Sequence, residues 1–390
     1  MNISLPQRAK RIKPSATLAI MAKAKEMKEQ GIDILSLSAG EPDCDTPEHI
    51  KTEAIHQIKS GFTKYTATSG IPELKKAICE KLQKDNKLAF LPENILVSSG
   101  AKQALYNLIA VLVDKGDEVL LTDPCWVSYE EMVKLAEGSC IFLPTNEYGK
   151  ITAEIIEQKI TPKTKVLILN SPSNPTGVVY TQKNLEEIAK VCLKYNIFVI
   201  SDEIYEKLIY DVPYYSIAQV SEAMKKQTAV VNGVSKAYSM TGWRIGYAAA
   251  EKEIITAASA LQGHTTANPN SIAQKAAVAA IAGPQECIEE MKKIYKERRD
   301  YILQRLNKIE GVSAQKPDGA FYIFPDMSEI MKKKNMSTTA EFCDKLLSEK
   351  QVAVIPGSAF GANTCIRISY AADIETIRKA LDRIEAFITE

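Results

Sequence analysis

An α/β fold, with a mostly parallel central sheet covered by helices, is predicted by three observations. Helical and strand patterns alternate along most of the chain. The strand-like segments 166–170, 197–201 and 229–232 are short, continuous runs rich in β-branched residues, the signature of strands buried on both faces. Beyond about residue 290 the pattern becomes α+β, so a second, smaller unit begins within a long helix expected over 284–310.

In chain order, the periodicity predicts a helix over 18–30, stopped by Gly31. A strand over 32–37 runs into the loop Ala39-Gly-Glu-Pro-Asp43. Pro47 and Pro72 each open a helix, where a missing N–H costs nothing. A strand over 95–99 feeds a helix over 101–113, and 118–122 is the next strand. Polar and apolar residues alternate at helical period over 181–195 and 251–262. The C-terminal part carries strands at 321–324 and 365–369 and helices near 338–349 and 373–388. No internal repeat or low-complexity linker interrupts the chain.

Composition narrows the function classes. The 390 residues are 45% hydrophobic and 25% charged, ordinary globular values that exclude disordered and fibrous classes. With 49 Lys+Arg against 48 Asp+Glu, the net charge is +1, so the footprint of a nucleic-acid binder is missing. The longest apolar run, 276–282, is far short of the ~18 residues a membrane-spanning helix needs. The N-terminal stretch lacks the apolar core of a secretory signal, and Lys13-Pro-Ser-Ala-Thr17 ties it to the mature fold rather than to a transit peptide. Eight scattered cysteines without a Cys-x-x-Cys pair read as reduced thiols of a cytoplasmic protein. Three histidines are too few for a His-rich metal site, and no metal is expected.

Four clusters carry chemistry. In Asn232-Gly-Val-Ser235-Lys236-Ala-Tyr-Ser-Met-Thr-Gly-Trp-Arg244, a lysine follows directly on a buried strand. Desolvation makes such an amine a nucleophile and Schiff-base former, and Arg244 can grip a phosphate through two parallel bonds. An ordinary surface loop would explain a lone Ser-Lys pair, but the whole string is more specific. Asn170-Ser-Pro-Ser-Asn174-Pro-Thr-Gly177 makes a rigid turn at a strand's carboxyl end, where open α/β sheets bind ligands. Plain turn chemistry would also use Asn-Pro. In Ser201-Asp202-Glu-Ile-Tyr205, a carboxylate closes an apolar strand. Burying it calls for a cation, such as a protonated ring nitrogen, unless Asp202 is only a helix N-cap. Ser98-Ser-Gly100-Ala101-Lys102 joins a strand to a helix start and offers backbone N–H groups to an anion. Neither a Walker loop nor Gly-x-Gly-x-x-Gly is present, which argues against a nucleotide site. A nucleophilic lysine, a carboxylate for a ring cation and a phosphate cradle together are the requirements of pyridoxal phosphate.

With these motifs the chain resembles the class I, fold-type I pyridoxal-phosphate aminotransferases. It is most similar to the bacterial aspartate aminotransferase branch that includes dual aspartate/prephenate aminotransferases. The similarity runs from Lys13-Pro-Ser-Ala-Thr17 through Ala39-Gly-Glu-Pro-Asp, Lys64-Tyr65-Thr, Trp126-Val-Ser-Tyr and Ser173-Asn-Pro-Thr-Gly to Arg367-Ile-Ser-Tyr-Ala.

The resemblance implies a large cofactor-binding domain over 47–290 and a smaller α+β domain formed by both termini, 1–46 and 291–390. It implies that Lys236 carries the cofactor and shuttles the substrate α-proton. Asp202 would pair with the pyridine nitrogen, and Tyr205 and Asn174 would bond the ring oxygen. Trp126 would stack on the ring. Gly100, Ala101 and Arg244 would hold the phosphate, joined by Tyr65 from a second subunit of a homodimer, and Ser235 would also bind the cofactor. For substrate, it implies Arg367 on the α-carboxylate, with Asn174, Trp126 and the main chain of Gly40 beside it. Lys102 would take the distal carboxylate, from a Gly-Ala-Lys turn where the branch has Gly-Gly-Lys. Lys13 and Thr17 match positions associated with prephenate.

The expected activity is transfer of the amino group of aspartate to 2-oxoglutarate, with prephenate as a further substrate. An aromatic, alanine or kynurenine aminotransferase on the same scaffold is the alternative. A ligand-sensing regulator would carry a DNA-binding domain, and only about 30 residues precede the first motif strand. A nicotinamide dehydrogenase would need the absent glycine fingerprint.

Overall fold

The computed structural model describes residues 4, 6, 10–12, 16–147 and 149–390, with Ala16 and Leu18 described by backbone alone. Twelve strands are present among them. They are β1 (Leu35–Ser36), β2 (Ile95–Ser98), β3 (Glu118–Asp123), β4 (Ser139–Pro144), β5 (Thr164–Asn170), β6 (Phe198–Asp202), β7 (Thr228–Gly233), β8 (Gly246–Ala249), β9 (Tyr322–Ile323), β10 (Val352–Ala353), β11 (Ile355–Pro356) and β12 (Ile366–Ser369).

Seven strands form one sheet in the order β2-β8-β7-β6-β5-β3-β4. Only β8 runs against its neighbours, β2 and β7. The inner parallel strands have apolar middles because both faces are covered: every residue of β2 and β7 is buried. Leu120, Leu167 and Val199 pack on one face of the sheet, and Leu121, Ile168 and Ile200 on the other. Each such side chain contributes about 1.5–3 kcal/mol of burial.

The rim at the carboxyl ends of β2, β5, β6 and β7 is where polar groups collect. Register sets Asn170 beside Asp202, and Gly246 between Gly233 and Ser98. Because β8 is antiparallel to β7, the connection between them needs no crossover helix. It stays at this rim from 234 to 245 and carries both Lys236 and Arg244. Gly246 must be glycine, since a Cβ there would enter the Gly100–Ala101 backbone.

A second core gathers around a three-stranded antiparallel sheet, β11-β12-β9. Helices Glu286–Leu306, Thr339–Lys350 and Ile374–Thr389 cover it. The N-terminal strand β1 joins this part of the molecule by pairing with β10, Leu35 opposite Val352. The strand expected over 32–37 is therefore only two residues long, because the short β10 offers it no more edge.

Several segments have no counterpart in the sequence reading, among them the helix Ser128–Leu135, the edge strand β4, the helix Ala153–Lys159 and strand β8. The apolar run at 276–282 belongs to a further helix, Ser271–Ala282. Its alanines 273, 276, 277 and 280 pack on the sheet cluster that includes Ile95 and Val97. Among the described residues no helix is long and apolar enough to cross a membrane.

Behind the rim, Glu206 bonds Lys81 and the amide of Asn86, all in the protein interior. Lys81→Met alone is expected to cost ~3–5 kcal/mol, because it strands the buried Glu206. Adding Glu206→Leu should recover most of that loss. Urea denaturation of the three chains checks it, and equal destabilisation of single and double variants would contradict it.

Candidate active site

Lys236 emerges just beyond β7, in the rim connection that also carries Arg244. Its Nζ donates to the carbonyl of Gly40 at 2.5 Å and lies 5.9 Å from the ring centres of both Tyr205 and Phe321. Burial pushes this amine down to about 8, helped by the charges of Arg367 and Arg244 and opposed by Glu41 and Asp202. A lysine in that state is a partly free base at neutral pH, which suits it to nucleophilic and proton-transfer work.

Asp202 ends β6 and is 3% exposed. Its Oδ2 accepts a hydrogen bond from Tyr129 Oη at 2.6 Å, and its Oδ1 accepts one from the Ile204 N–H at 3.2 Å. Burial pushes the carboxyl up to about 6, against the pull of those bonds and of Lys236. Among the described residues no cation pairs with it directly. The contact to Ile204 caps a turn over 204–207, and no helix begins there, so Asp202 is not the helix N-cap of the alternative reading.

Asn170, at the end of β5, holds the turn that follows. Its side chain donates to Asp202 O and accepts from the Asn174 N–H at 2.8 Å. Asn174 Oδ1 in turn accepts from Arg367 Nη1 at 3.0 Å. Arg367 comes from β12 in the other core. It gives Nη2 to Ser38 O at 2.9 Å and lies over the rings of Tyr322 (4.4 Å) and Phe360 (5.1 Å). It is 3% exposed and its Nε is buried without a partner, a donor directed at nothing in the protein. Tyr205 Oη shares a hydrogen bond with Tyr322 Oη at 2.9 Å.

The helix Ala101–Leu112 begins at this rim, after Gly100 with φ +90°. A Cβ at Gly100 would strike the Arg244 guanidinium. Arg244 is fixed by bonds to Thr241 O at 2.9 Å and Ser99 O at 3.2 Å. Helix N–H groups without intrahelical partners and a guanidinium thus face one point, the composition of a phosphate cradle. Lys102, on the same first turn, lies over the Trp126 ring at 4.8 Å, and burial, with Arg244 next, lowers its pKa.

One cavity of about 310 Å³ brings these groups together. Thr17, Gly40, Ala101, Lys102, Trp126, Asn174, Asp202, Tyr205, Ser235, Lys236, Arg244 and Arg367 all line it, and Gly100 borders it beside Arg244. Tyr65, although expected there, does not line it. Tyr65 is 92% exposed and turned to the outside of this chain. Lys13 lies outside the described residues. Residues that the sequence reading did not assign also line the cavity, notably Met21, Glu41, Tyr129, Asn170 and Tyr322. Tyr129, Glu41 and Asn170 stood in the quoted strings Trp126-Val-Ser-Tyr, Ala39-Gly-Glu-Pro-Asp and Asn170-Ser-Pro-Ser-Asn174, which was the signal available for them. Among the described residues no cluster of His, Cys, Asp or Glu could hold a metal ion.

These residues fit pyridoxal phosphate. A buried carboxyl lacking a cation suits a protonated ring nitrogen, the cradle suits a phosphate, and Lys236 suits the aldehyde carbon.

Comparison with known proteins agrees with this chemistry. Residues 32–384 match the family described as "Aminotransferase class I and II". An aspartate aminotransferase of Bacillus sp. (strain YM-2) is 52% identical over 98% of this chain and 99% of its own. An aspartate/prephenate aminotransferase of Nitrosomonas europaea is 43% identical over 99% of this chain and 100% of its own. The crystal structure of the Rhizobium meliloti aspartate aminotransferase superposes with a TM-score of 0.95 at 41% identity, covering 100% of this chain and 99% of that one. The Thermus thermophilus aspartate aminotransferase with maleate gives 0.94 at 42% identity, covering 98% and 99%.

The lowered Lys236 pKa is open to direct measurement. Trinitrobenzenesulfonate labelling of the cofactor-free chain, followed by mass spectrometry across pH, should show Lys236 reacting with a midpoint near 8. A midpoint near the ordinary lysine value of 10.5 would contradict the assigned environment.

Proposed function

This chain belongs to the class I and II aminotransferases, and from that premise we propose that it is a pyridoxal-phosphate-dependent aspartate aminotransferase. In this reading it moves the amino group of L-aspartate to 2-oxoglutarate, giving oxaloacetate and L-glutamate in two half-reactions, and it also converts prephenate to arogenate. The observation that carries the reading is the convergence of Lys236, Asp202, Arg367 and Lys102 on one cavity.

Pyridoxal phosphate, when bound, supplies an aldehyde carbon that accepts the amino group and a ring that withdraws electrons from the substrate α-carbon. Lys236 and Ser235 would hold it, Gly100, Ala101 and Arg244 its phosphate, and Trp126 its ring face. Asp202 would keep the ring nitrogen protonated, with the Tyr129 hydroxyl holding that carboxylate in place. Asn174 and Tyr205 would bond the ring oxygen.

Arg367 binds the substrate α-carboxylate. Two rings and two hydrogen bonds hold its fork, so little entropy is lost on binding, and Nε is still unpaired. Lys102 takes the distal carboxylate as a point charge, which tolerates dicarboxylates of different bulk. The names of the relatives support this: one structure is described with maleate, a dicarboxylate, and one relative as acting on both aspartate and prephenate. With the substrate anchored at both ends, its α-hydrogen faces Lys236, whose Nζ accepts the proton as a general base and returns it as a general acid. Thr17 and Met21 form the outer wall, on the helix Ala16–Glu29.

We further assign 47–290 as the cofactor-binding domain and 1–46 with 291–390 as the smaller one, a division that the β1–β10 pairing supports. Tyr65, exposed here, would reach the phosphate of a second subunit in a homodimer. Eight free thiols fit the cytoplasm.

Two measurements test the proposal. Purified protein loaded with pyridoxal phosphate should lose its yellow colour on addition of aspartate alone and regain it with 2-oxoglutarate. A yellow protein that responds to another amino acid and not to aspartate would remove the substrate assignment. No yellow form at any pyridoxal phosphate concentration would remove the role of Lys236. Second, Lys102→Glu should raise KM for aspartate by roughly ten- to a hundredfold, the worth of a charged hydrogen bond, with a much smaller change for alanine. Equal losses for both would count against Lys102 as the distal-carboxylate site.

A further inference from the structure

Tyr65 is an aromatic residue 92% exposed, on a tip whose flanks are fastened to the interior. One helix turn does most of the fastening. On the helix Ser271–Ala282, Ser271 Oγ donates to Phe62 O at 2.9 Å, three residues before Tyr65. One turn on, Gln274 Nε2 donates to Thr66 Oγ1 at 3.0 Å, immediately after Tyr65, and Gln274 Oε1 accepts from the Ile71 N–H at 2.8 Å. Its other N–H goes to Pro269 O at 3.0 Å, so the whole amide is used. Behind it Gln262 Nε2 donates to Thr68 O at 2.8 Å. Gln262 and Gln274 are both 0% exposed. A buried primary amide is costly unless its bonds are met, and leucine would fill the same space without that cost. Gln262 divides its amide between this segment and the rim, donating also to Val97 O at 2.9 Å and accepting from Ser98 Oγ at 2.6 Å and Asn107 Nδ2 at 2.9 Å. Gln274 places its bonds nearer the phenol, and with Ser271 it ties down the chain on both sides of Tyr65.

We propose that Gln274, with Gln262 and Ser271, is a positioning residue for the active site of a second copy of this chain: it holds Tyr65 in the conformation that meets the neighbouring subunit's phosphate. This rests on the dimer and on the role assigned to Tyr65 above. The clamp acts in trans, so a defect in it weakens the partner's site and leaves its own intact.

Hybrid dimers carrying a single intact Lys236 test this. They are assembled by co-expression with two affinity tags. Pyridoxal phosphate is trapped on Lys236 by borohydride over a range of concentrations and quantified by mass spectrometry. In the first hybrid, one subunit carries K236A and Q274L together. In the second, the two substitutions are on opposite subunits. The expected result is an affinity about tenfold weaker in the first hybrid and unchanged in the second, as loss of a charge-assisted bond gives. Thr66→Val, which leaves the helix untouched, should show the same asymmetry more weakly and excludes misfolding as the cause. Hydrogen–deuterium exchange should rise over 62–71 in both variants. Equal weakening in both hybrids, or none, would overturn the proposal. Y65A in the same two arrangements separates the layers. If Y65A is asymmetric and Q274L is not, the clamp alone is wrong. If Y65A weakens neither hybrid, the assignment of Tyr65 falls and the clamp with it.

Discussion

A carboxyl group at the buried end of a central strand is the constraint around which this molecule is arranged. Asp202 sits where the central sheet stops, and among the described residues no cation pairs with it. Desolvation makes that an expensive position, and every element nearby answers to it. Tyr129 reaches in from the flanking helix to donate to it. Asn170 ties its backbone to the next strand. Lys236, on the neighbouring strand's extension, supplies a charge at a distance, and burial makes that charge easier to lose. Two ionisable groups, each pushed toward neutrality by the same dry environment, are what make an acid–base centre near neutral pH.

The second condition is that two cores meet over this point. Arg367 comes from the small antiparallel sheet and bonds Asn174 from the parallel one. Its guanidinium is lodged between Tyr322 and Phe360, both from the C-terminal core. The carboxylate-binding fork is therefore prepared before a substrate arrives, and it also links the two halves of the molecule.

Much of this was legible in the sequence because it is local. The strand–turn–helix around Gly100, the turn after Asn170 and the string through Lys236 and Arg244 all carry chemistry within a dozen residues of one another. The parallel strands were legible because burial on both faces leaves continuous β-branched runs. What escaped is what depends on distance along the chain. Tyr129 meets Asp202 across 73 positions and Tyr205 meets Tyr322 across 117, and no periodicity announces either bond. Strand β8 escaped because Gly-Tyr-Ala-Ala has weak β-propensity. Its strand state comes from neighbours on both sides. Edge strand β4 does carry an apolar run, Cys140–Leu143, but at the sheet edge it is only partly buried and it escaped the reading. Lys13 lies beyond what the structure describes.

The contact of Gly246 with the Gly100–Ala101 backbone has a consequence for how such a molecule can diversify. Where main chain rests on main chain, no side chain can be enlarged, and no drift of neighbouring residues opens room for one. The inner rim is thus closed to inherited variation. The cavity is also lined by Met21, Leu105 and Lys102, side chains with several rotatable bonds that can be exchanged one at a time. A lineage built on this plan can change which substrate it accepts without changing how it handles the proton, because novelty is admitted at those side chains and not at the main-chain contact.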